Sequence, residues 1–182
     1  MTGPVLVSIS VPCRNYGHFL AEALDSITCQ SYRPIEVVLV DDGSTDSTAE
    51  VIAAYQPAGI SVRRVKLGGC GLSAARNAGL DVAAGNLVGF LSADDVLEAE
   101  AVASLAQTIA TSGADLAVGN WRNFTGSDAI VCEFSSEAIN PRVFASATFA
   151  NVLFYRPVAS AFLMRCSPIR FDTNLYISEL LD

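Results

Sequence analysis

Val37 to Asp46 reads V-V-L-V-D-D-G-S-T-D, an apolar run that ends in two carboxylates and a glycine. A buried strand of Val and Leu that delivers Asp41 and Asp42 to a Gly turn sets acids at a strand's carboxyl end. Open α/β sheets bind ligands at that edge. The pattern returns as Leu87-Val-Gly-Phe-Leu-Ser-Ala-Asp94-Asp95. Acids at two strand ends suit a hard cation together with a ligand that carries hydroxyls and phosphates. Mg²⁺ or Mn²⁺ is typically held by one or two carboxylates, with diphosphate oxygens and water completing an octahedron, and Asp94 fits that use. A third stretch, Gly71-Leu-Ser-Ala-Ala-Arg76-Asn77-Ala-Gly79, leads from the Gly68-Gly-Cys-Gly71 loop into a helix of small residues. With Leu72, Ala75 and Gly79 on its packed side, Arg76 lies on another face, from which a guanidinium can grip a diphosphate bidentately. Each stretch also has a plainer reading. Asp and Ser in a turn cap the helix that follows, an exposed Arg is usually a solvated charge, and the glycine loop is not a G-x-x-x-x-G-K-[ST] phosphate loop.

The elements that would position these residues follow from hydrophobic period and punctuation. Strands are predicted over Val5–Val11, Ile35–Val40, Ser61–Lys66, Leu87–Leu91 and Asp115–Val118. Helices are predicted over His18–Gln30, Ser47–Tyr55, Leu72–Ala84 and Glu98–Thr111, with Ser47-Thr-Ala-Glu50 as a capping box. Alternation of this kind makes a parallel, doubly wound sheet. Ile35–Val40 is apolar enough to be buried on both faces. After Gly119 the rhythm changes. Trp121–Phe124 and Ile130–Phe134 read as antiparallel strands around Gly126-Ser127-Asp128, Arg142–Phe154 as a helix and Ala161–Arg165 as a last strand. With no linker or repeat, the expectation is one domain over 1–182, its first half about 1–119 and its second about 120–182.

Composition limits the partners. The 182 residues are 51% hydrophobic with a net charge of −8, a pI near 4.5 and a mean hydropathy of +0.40, which excludes a disordered chain and argues against nucleic acid or an anionic membrane as main partner. Cys13, Cys29, Cys70, Cys132 and Cys166 are odd in number and widely spaced, without C-x-x-C, so a zinc site is not expected and buried free thiols in a reducing compartment are. No signal peptide is visible at Met1-Thr-Gly-Pro-Val. Asn151, Arg156 and Pro157 interrupt the apolar run Ala145–Met164, which therefore reads as core and not as a membrane span. The only lysine, Lys66, ends the third strand, which rules out a receiver-domain reading of the acid pair.

Together these stretches resemble the family 2 glycosyltransferases of the GT-A fold. Ser8-Ile-Ser-Val-Pro12-Cys-Arg-Asn15-Tyr16 is similar to that family's opening strand, and Ala23-Leu-Asp-Ser26-Ile-Thr-Cys-Gln30-Ser-Tyr32 to its first helix. Glu36-Val-Val-Leu-Val-Asp-Asp-Gly-Ser-Thr-Asp46 and Gly71–Leu80 are close to its most specific motifs. The resemblance implies an α/β, Rossmann-like fold with a mostly parallel central sheet and a smaller acceptor-side subregion. It implies Pro12 and Asp42 near a nucleotide base with Asp41 close by, Arg76 on a diphosphate and Asp94 on Mn²⁺ or Mg²⁺. Arg14, Asn15, Ser92 and Ala93 complete the implied donor site.

Two positions depart from the family pattern. Ser92 stands where the metal motif generally has a first Asp. In Phe171-Asp-Thr-Asn-Leu-Tyr-Ile-Ser-Glu179-Leu180, similar to the segment that supplies the general base, Leu180 replaces the second acid. Glu179 or Asp182 is left for that role. The implied reaction moves a sugar from a nucleoside diphosphate sugar, most simply a UDP-sugar, to a hydroxyl of a sugar, lipid or glycan acceptor, with inversion. The implied protein is cytoplasmic or peripheral at the inner face of the membrane, and a homo-oligomer is compatible. Because the chain stops close to the base motif, it is expected to bind donor, to transfer slowly, and to hold its tail after about Tyr176 loosely. The alternatives are a nucleotide-sugar-binding protein without turnover, and a sugar-nucleotide nucleotidyltransferase. The latter usually has a Gly-rich, Lys/Arg-bearing loop after the first strand, where Pro12–Gly17 supplies one Arg and one Gly.

Overall fold

The computed structural model describes residues 3–119, 123–125, 129–132, 142–144, 162–166, 170, 171 and 173; between 123 and 144 it describes the backbone alone. Strands β1 (Val7–Cys13) and β2 (Ile35–Asp42) are buried at every position, as continuous apolar runs inside a parallel sheet should be. Among the described residues β3 (Ser61–Leu67), β4 (Leu87–Phe90), β5 (Leu116–Val118), β8 (Arg142–Phe144) and β9 (Phe162–Arg165) join them in a seven-stranded sheet of order β3-β2-β1-β4-β9-β5-β8. The β3-β2-β1-β4 pairings are parallel. The strand order reverses between β1 and β4, which makes that gap the switch point of the sheet. Strands β6 (Asn123–Thr125) and β7 (Ala129–Cys132) form the antiparallel hairpin expected around residues 126–128.

Beyond β4 the sheet departs from the predicted parallel order. Strand β9 lies antiparallel between β4 and β5, and β8 is antiparallel to β5. The predicted helix over Arg142–Phe154 is also corrected at its start, since Arg142–Phe144 is strand β8; residues 145–154 lie outside the described residues. Leu116–Val118 offers an open ladder edge, and pairing with it satisfies backbone groups of a segment whose Val and Phe suit a pleated surface.

Helices α1 (Gly17–Thr28), α2 (Thr48–Ala54) and α4 (Ala101–Ser112) cover one face. Leu20, Leu24 and Ile27 of α1, Ile52 of α2 and Leu105 and Ile109 of α4 share a core with Val7, Ile9, Val11, Val37 and Leu39. The capping box expected at Ser47 does not form, as Ser47 makes no side-chain cap bond. Asp46 takes the role, its Oδ1 accepting from the Thr48 N–H at 3.0 Å and its Oδ2 from the Gly17 N–H at 3.0 Å, so one carboxylate caps both α2 and α1. The Thr48 hydroxyl and N–H and the Gly17 N–H hold its carboxyl below the usual aspartate range.

Helix α3 (Leu72–Val82) covers the other face, and it comes very close to the sheet. A Cβ at Gly79 would collide with the Ser10 Oγ, and one at Gly85 would lie 2.7 Å from the Ser8 N. Small residues on both surfaces are therefore required. Beneath the end of α3, Glu36 is 1% exposed. It accepts from the Ser8 hydroxyl, the Ala84 N–H and, at 3.1 Å, the Arg63 Nε. Burial pushes the Glu36 carboxyl up, but the bonds from Ser8, Ala84 and Arg63 outweigh it and hold the group below the usual glutamate range.

This lock has a pH signature. A carboxylate with a depressed folded-state pKa contributes stability that is complete above its unfolded value and is lost as pH falls through its folded value. Glu36→Gln should therefore lower stability by about 1.5–3 kcal/mol at neutral pH. The deficit should shrink below about pH 4.3. Urea unfolding of parent and variant at several pH values checks both the size and the sign.

Candidate functional site

The carboxyl ends of β1, β2, β3 and β4 meet on one edge, with Cys13 in register with Asp41 and Asp41 with Lys66. This edge collects Pro12, Arg14, Asn15, Asp41, Asp42, Ser92, Ala93 and Asp94, all singled out from the sequence. Helix α3 begins here too, so Arg76 in its second turn belongs to the same end of the sheet. Glu179 and Asp182 lie outside the described residues.

The two acids of β2 face inward. Asp41 is 5% and Asp42 3% exposed, and backbone donors satisfy both. Asp41 Oδ1 accepts from the Ser44 N–H at 2.9 Å. Asp42 accepts three bonds, from the N–H groups of Gly69 at 3.0 Å, Cys70 at 2.7 Å and Gly71 at 2.7 Å. The glycine loop after β3 is thus wrapped around the Asp42 carboxylate. Gly43 has φ +75°, and a Cβ there would meet the Gly69 N at 2.9 Å, which is why only glycine fits between the two turns. The Arg14 guanidinium lies over this loop, 3.4 Å from where a Gly69 Cβ would stand.

The β1–α1 turn is tied to the β2–α2 turn. Asn15 holds φ 61°. Its N–H donates to the Ser44 Oγ at 3.0 Å, and its Oδ1 accepts from the Thr45 N–H at 2.8 Å. Asn tolerates the left-handed region better than most residues, so its place in the motif has a conformational reason. Behind the turns, burial and then Asp41 and Asp46 push the Cys13 thiol up to about 12. Cys13 is the buried thiol expected, whereas Cys29, Cys70 and Cys166 are exposed and correct that expectation. They stand at the end of α1, in the loop between β3 and α3, and just after β9.

At the end of β4, Ala93 is buried, Ser92 half-buried and Asp94 exposed. Asp94 makes no hydrogen bond or ion pair with the described residues. They contain no cluster of three or more His, Cys, Asp or Glu that could cage a metal. The donor set instead matches the open mode of Mg²⁺ and Mn²⁺, in which one protein carboxylate is sufficient when phosphate and water complete the shell.

Arg76 stands beside that strand end. Its Cζ is 6.0 Å from the centroid of Phe90, the last residue of β4, and 5.2 Å from that of Phe171. Burial pushes its guanidinium down from the ordinary arginine value, although arginine stays charged. Its Nε is buried without a hydrogen-bond partner among the described residues. Two contributors were missed in the sequence. Asp46 bridges two helix starts, and an acid just before Ser-Thr was a legible cap signal. Asn77, mid-helix beside Arg76, grips Phe171 across 94 positions, and no local signal marks that.

A family model described as glycosyl transferase family 2 matches residues 8–149. The chain is 38% identical over 124 residues to glycosyltransferase GlyA of Streptococcus pneumoniae serotype 4, a match spanning 68% of this chain and 18% of that protein. It is 36% identical over 124 residues to glycosyltransferase GlyG of the same strain, spanning 68% of this chain and 41% of that one. It thus spans less than half the length of these relatives. Among solved structures, S. aureus TarS 1-349 superposes with a TM-score of 0.72 at 23% identity, over 95% of this chain and 52% of that one. That likeness is one of fold. Mannosyltransferase PcManGT from Pyrobaculum calidifontis, solved with GDP-Man and Mn²⁺, gives 0.56 at 29% identity, over 63% of this chain and 35% of that one.

The wrapping of the glycine loop generates its own test. Asp42→Ala strips three N–H groups of their acceptor and should cost about 2–3 kcal/mol. It should also speed hydrogen exchange at Gly69, Cys70 and Gly71 while leaving the amides of β1 protected. Unchanged exchange at the loop would show that something other than Asp42 holds it.

Proposed function

Because the chain belongs to glycosyl transferase family 2 and carries the GT-A fold, we propose that it binds a nucleoside diphosphate sugar at this edge and transfers the sugar, with inversion, to an acceptor hydroxyl. The observation that carries the reading is the contact of Arg76 with Phe90. It sets a buried guanidinium nitrogen, unpartnered among the described residues, beside the strand end that delivers the Asp94 carboxylate, which has no partner among them either. A diphosphate with a divalent ion answers both, giving acceptors to Arg76 and, through the ion, positive charge to Asp94. TarS has been solved with UDP and with UDP-GlcNAc, and PcManGT with GDP-Man and Mn²⁺, which favours this ligand class. Of the two bases, uracil is the one we propose.

The barrier lies in breaking the sugar's bond to the diphosphate. A Mn²⁺ or Mg²⁺ ion held by Asp94 would supply a Lewis acid for the departing charge. Arg76 would donate to the same phosphates from a partly desolvated setting, where a charge-assisted bond is worth most. Pro12, Arg14, Asn15, Asp41 and Asp42 would line the nucleoside end, Asp41 and Asp42 chiefly by holding the turns that shape it. Ser92 and Ala93 would flank the ribose, the Ser hydroxyl bonding without adding charge. The acceptor's proton would go to a carboxylate within hydrogen-bond reach, for which Glu179 and Asp182 are the candidates, and one base is sufficient. Among the described residues no helix is long and apolar enough to cross a membrane.

Two variants test the two ends of the diphosphate. Asp94→Ala should abolish Mn²⁺-dependent UDP binding in calorimetry without lowering the melting temperature, because the side chain is exposed. Arg76→Ala should weaken UDP binding by about 1.5–3 kcal/mol and leave uridine binding nearly unchanged. Equal losses for uridine and UDP would mean that Arg76 supports packing, not phosphate.

A further inference from the structure

Among the described residues Arg76 has no hydrogen bond at Nε to aim it, yet its task under the proposed function needs a fixed direction. Aromatic rings hold it instead. Phe90 and Phe171 meet edge to face, centroids 5.3 Å apart at 87°, and the guanidinium lies near both. Phe90 is fixed as part of β4. Phe171 lies outside the sheet strands, so something else must hold it.

That anchor is Asn77, the next residue of the same helix. Its Nδ2 donates to the Phe171 carbonyl at 2.9 Å, and its Oδ1 accepts from the Phe171 N–H at 2.8 Å. One side-chain amide thus satisfies both backbone groups of one residue, as a neighbouring strand would. One turn further, Asp81 Oδ1 accepts from Arg170 Nε at 3.2 Å and Nη2 at 2.9 Å. This second tie is exposed and contributes little by itself, but it holds Arg170, the residue next to Phe171. Helix α3 therefore carries both the guanidinium and the grip on the ring that steadies it.

We propose that Asn77 is a positioning residue for the donor's diphosphate: through Phe171 it holds the Arg76 guanidinium pointed toward the end of β4. Asn77 touches no substrate in this scheme. It removes rotamer freedom from a long, flexible arginine side chain, so that less is lost when phosphate binds. The inference rests on the reading of Arg76 as a phosphate ligand.

A double-mutant cycle on UDP affinity, with uridine affinity and melting temperature measured alongside, tests it. Asn77→Ala should weaken UDP binding about three- to tenfold and spare uridine. Combined with Arg76→Ala it should cost no more than Arg76→Ala alone, since residues acting through one another are non-additive. Phe171→Leu, which keeps the backbone grip and removes the ring, should show the same selective loss and carries the test if Asn77→Ala does not fold. Additive losses, or UDP affinity untouched in both Asn77→Ala and Phe171→Leu while Arg76→Ala weakens it, would overturn the positioning role. If Arg76→Ala itself leaves UDP binding unchanged, the phosphate assignment falls, and the positioning role with it.

Discussion

The close approach of α3 to β1 is the constraint on which the rest of this sheet edge depends. A helix packed over ordinary side chains stands well off a sheet. Here Gly79 rests on Ser10 and Gly85 on Ser8, and a single added Cβ at either would strike the strand. This brings the start of α3, its glycine loop and Arg76 down beside the strand ends. The buried Glu36 completes the lock by accepting from Ser8 on β1, from Ala84 after the helix and from Arg63 on the edge strand. Burying that charge would be costly without those donors. With them it joins two strands and a helix end.

The same economy governs the acids at the edge. Asp41, Asp42 and Asp46 give an acidic protein three carboxylates within six residues, an arrangement that repels itself unless each is neutralised. Backbone N–H groups do this in every case: Ser44 for Asp41, Gly69 to Gly71 for Asp42, Gly17 and Thr48 for Asp46. Each bond also shapes a turn, so charge neutralisation and loop geometry are one event. Asp94 differs because nothing in the described fold answers its charge, and that difference is the reason for proposing it as the acid held for a ligand.

Acidic composition gives the few arginines separate tasks. Arg63 pairs with Glu36, Arg64 binds the carbonyls of Ile52 and Tyr55, and Arg170 pairs with Asp81. Among the described residues Arg76 alone sits against two aromatic rings with its Nε unmatched. The rings restrain it without using up donors, which would suit the phosphate contact proposed for it.

How much was legible in the chain follows from which forces are local. Buried parallel strands must be continuous apolar runs and the covering helices must carry apolar residues at helical spacing, so the βα order through Val118 and the acid-tipped ends of β2 and β4 could be read directly. The motifs from Ser8 to Leu80 likewise carried the family. Pairings between distant backbones leave no such trace. The insertion of β9 between β4 and β5, the strand at Arg142–Phe144 and the cap passing from Ser47 to Asp46 depended on which donor or ladder edge lay nearest after folding. The three N–H groups around Asp42 and the grip of Asn77 on Phe171 belong to the same class. An amide or a carboxylate has the same bonding capacity wherever it stands in a sequence, and only the packed fold decides which groups come within 3 Å of it.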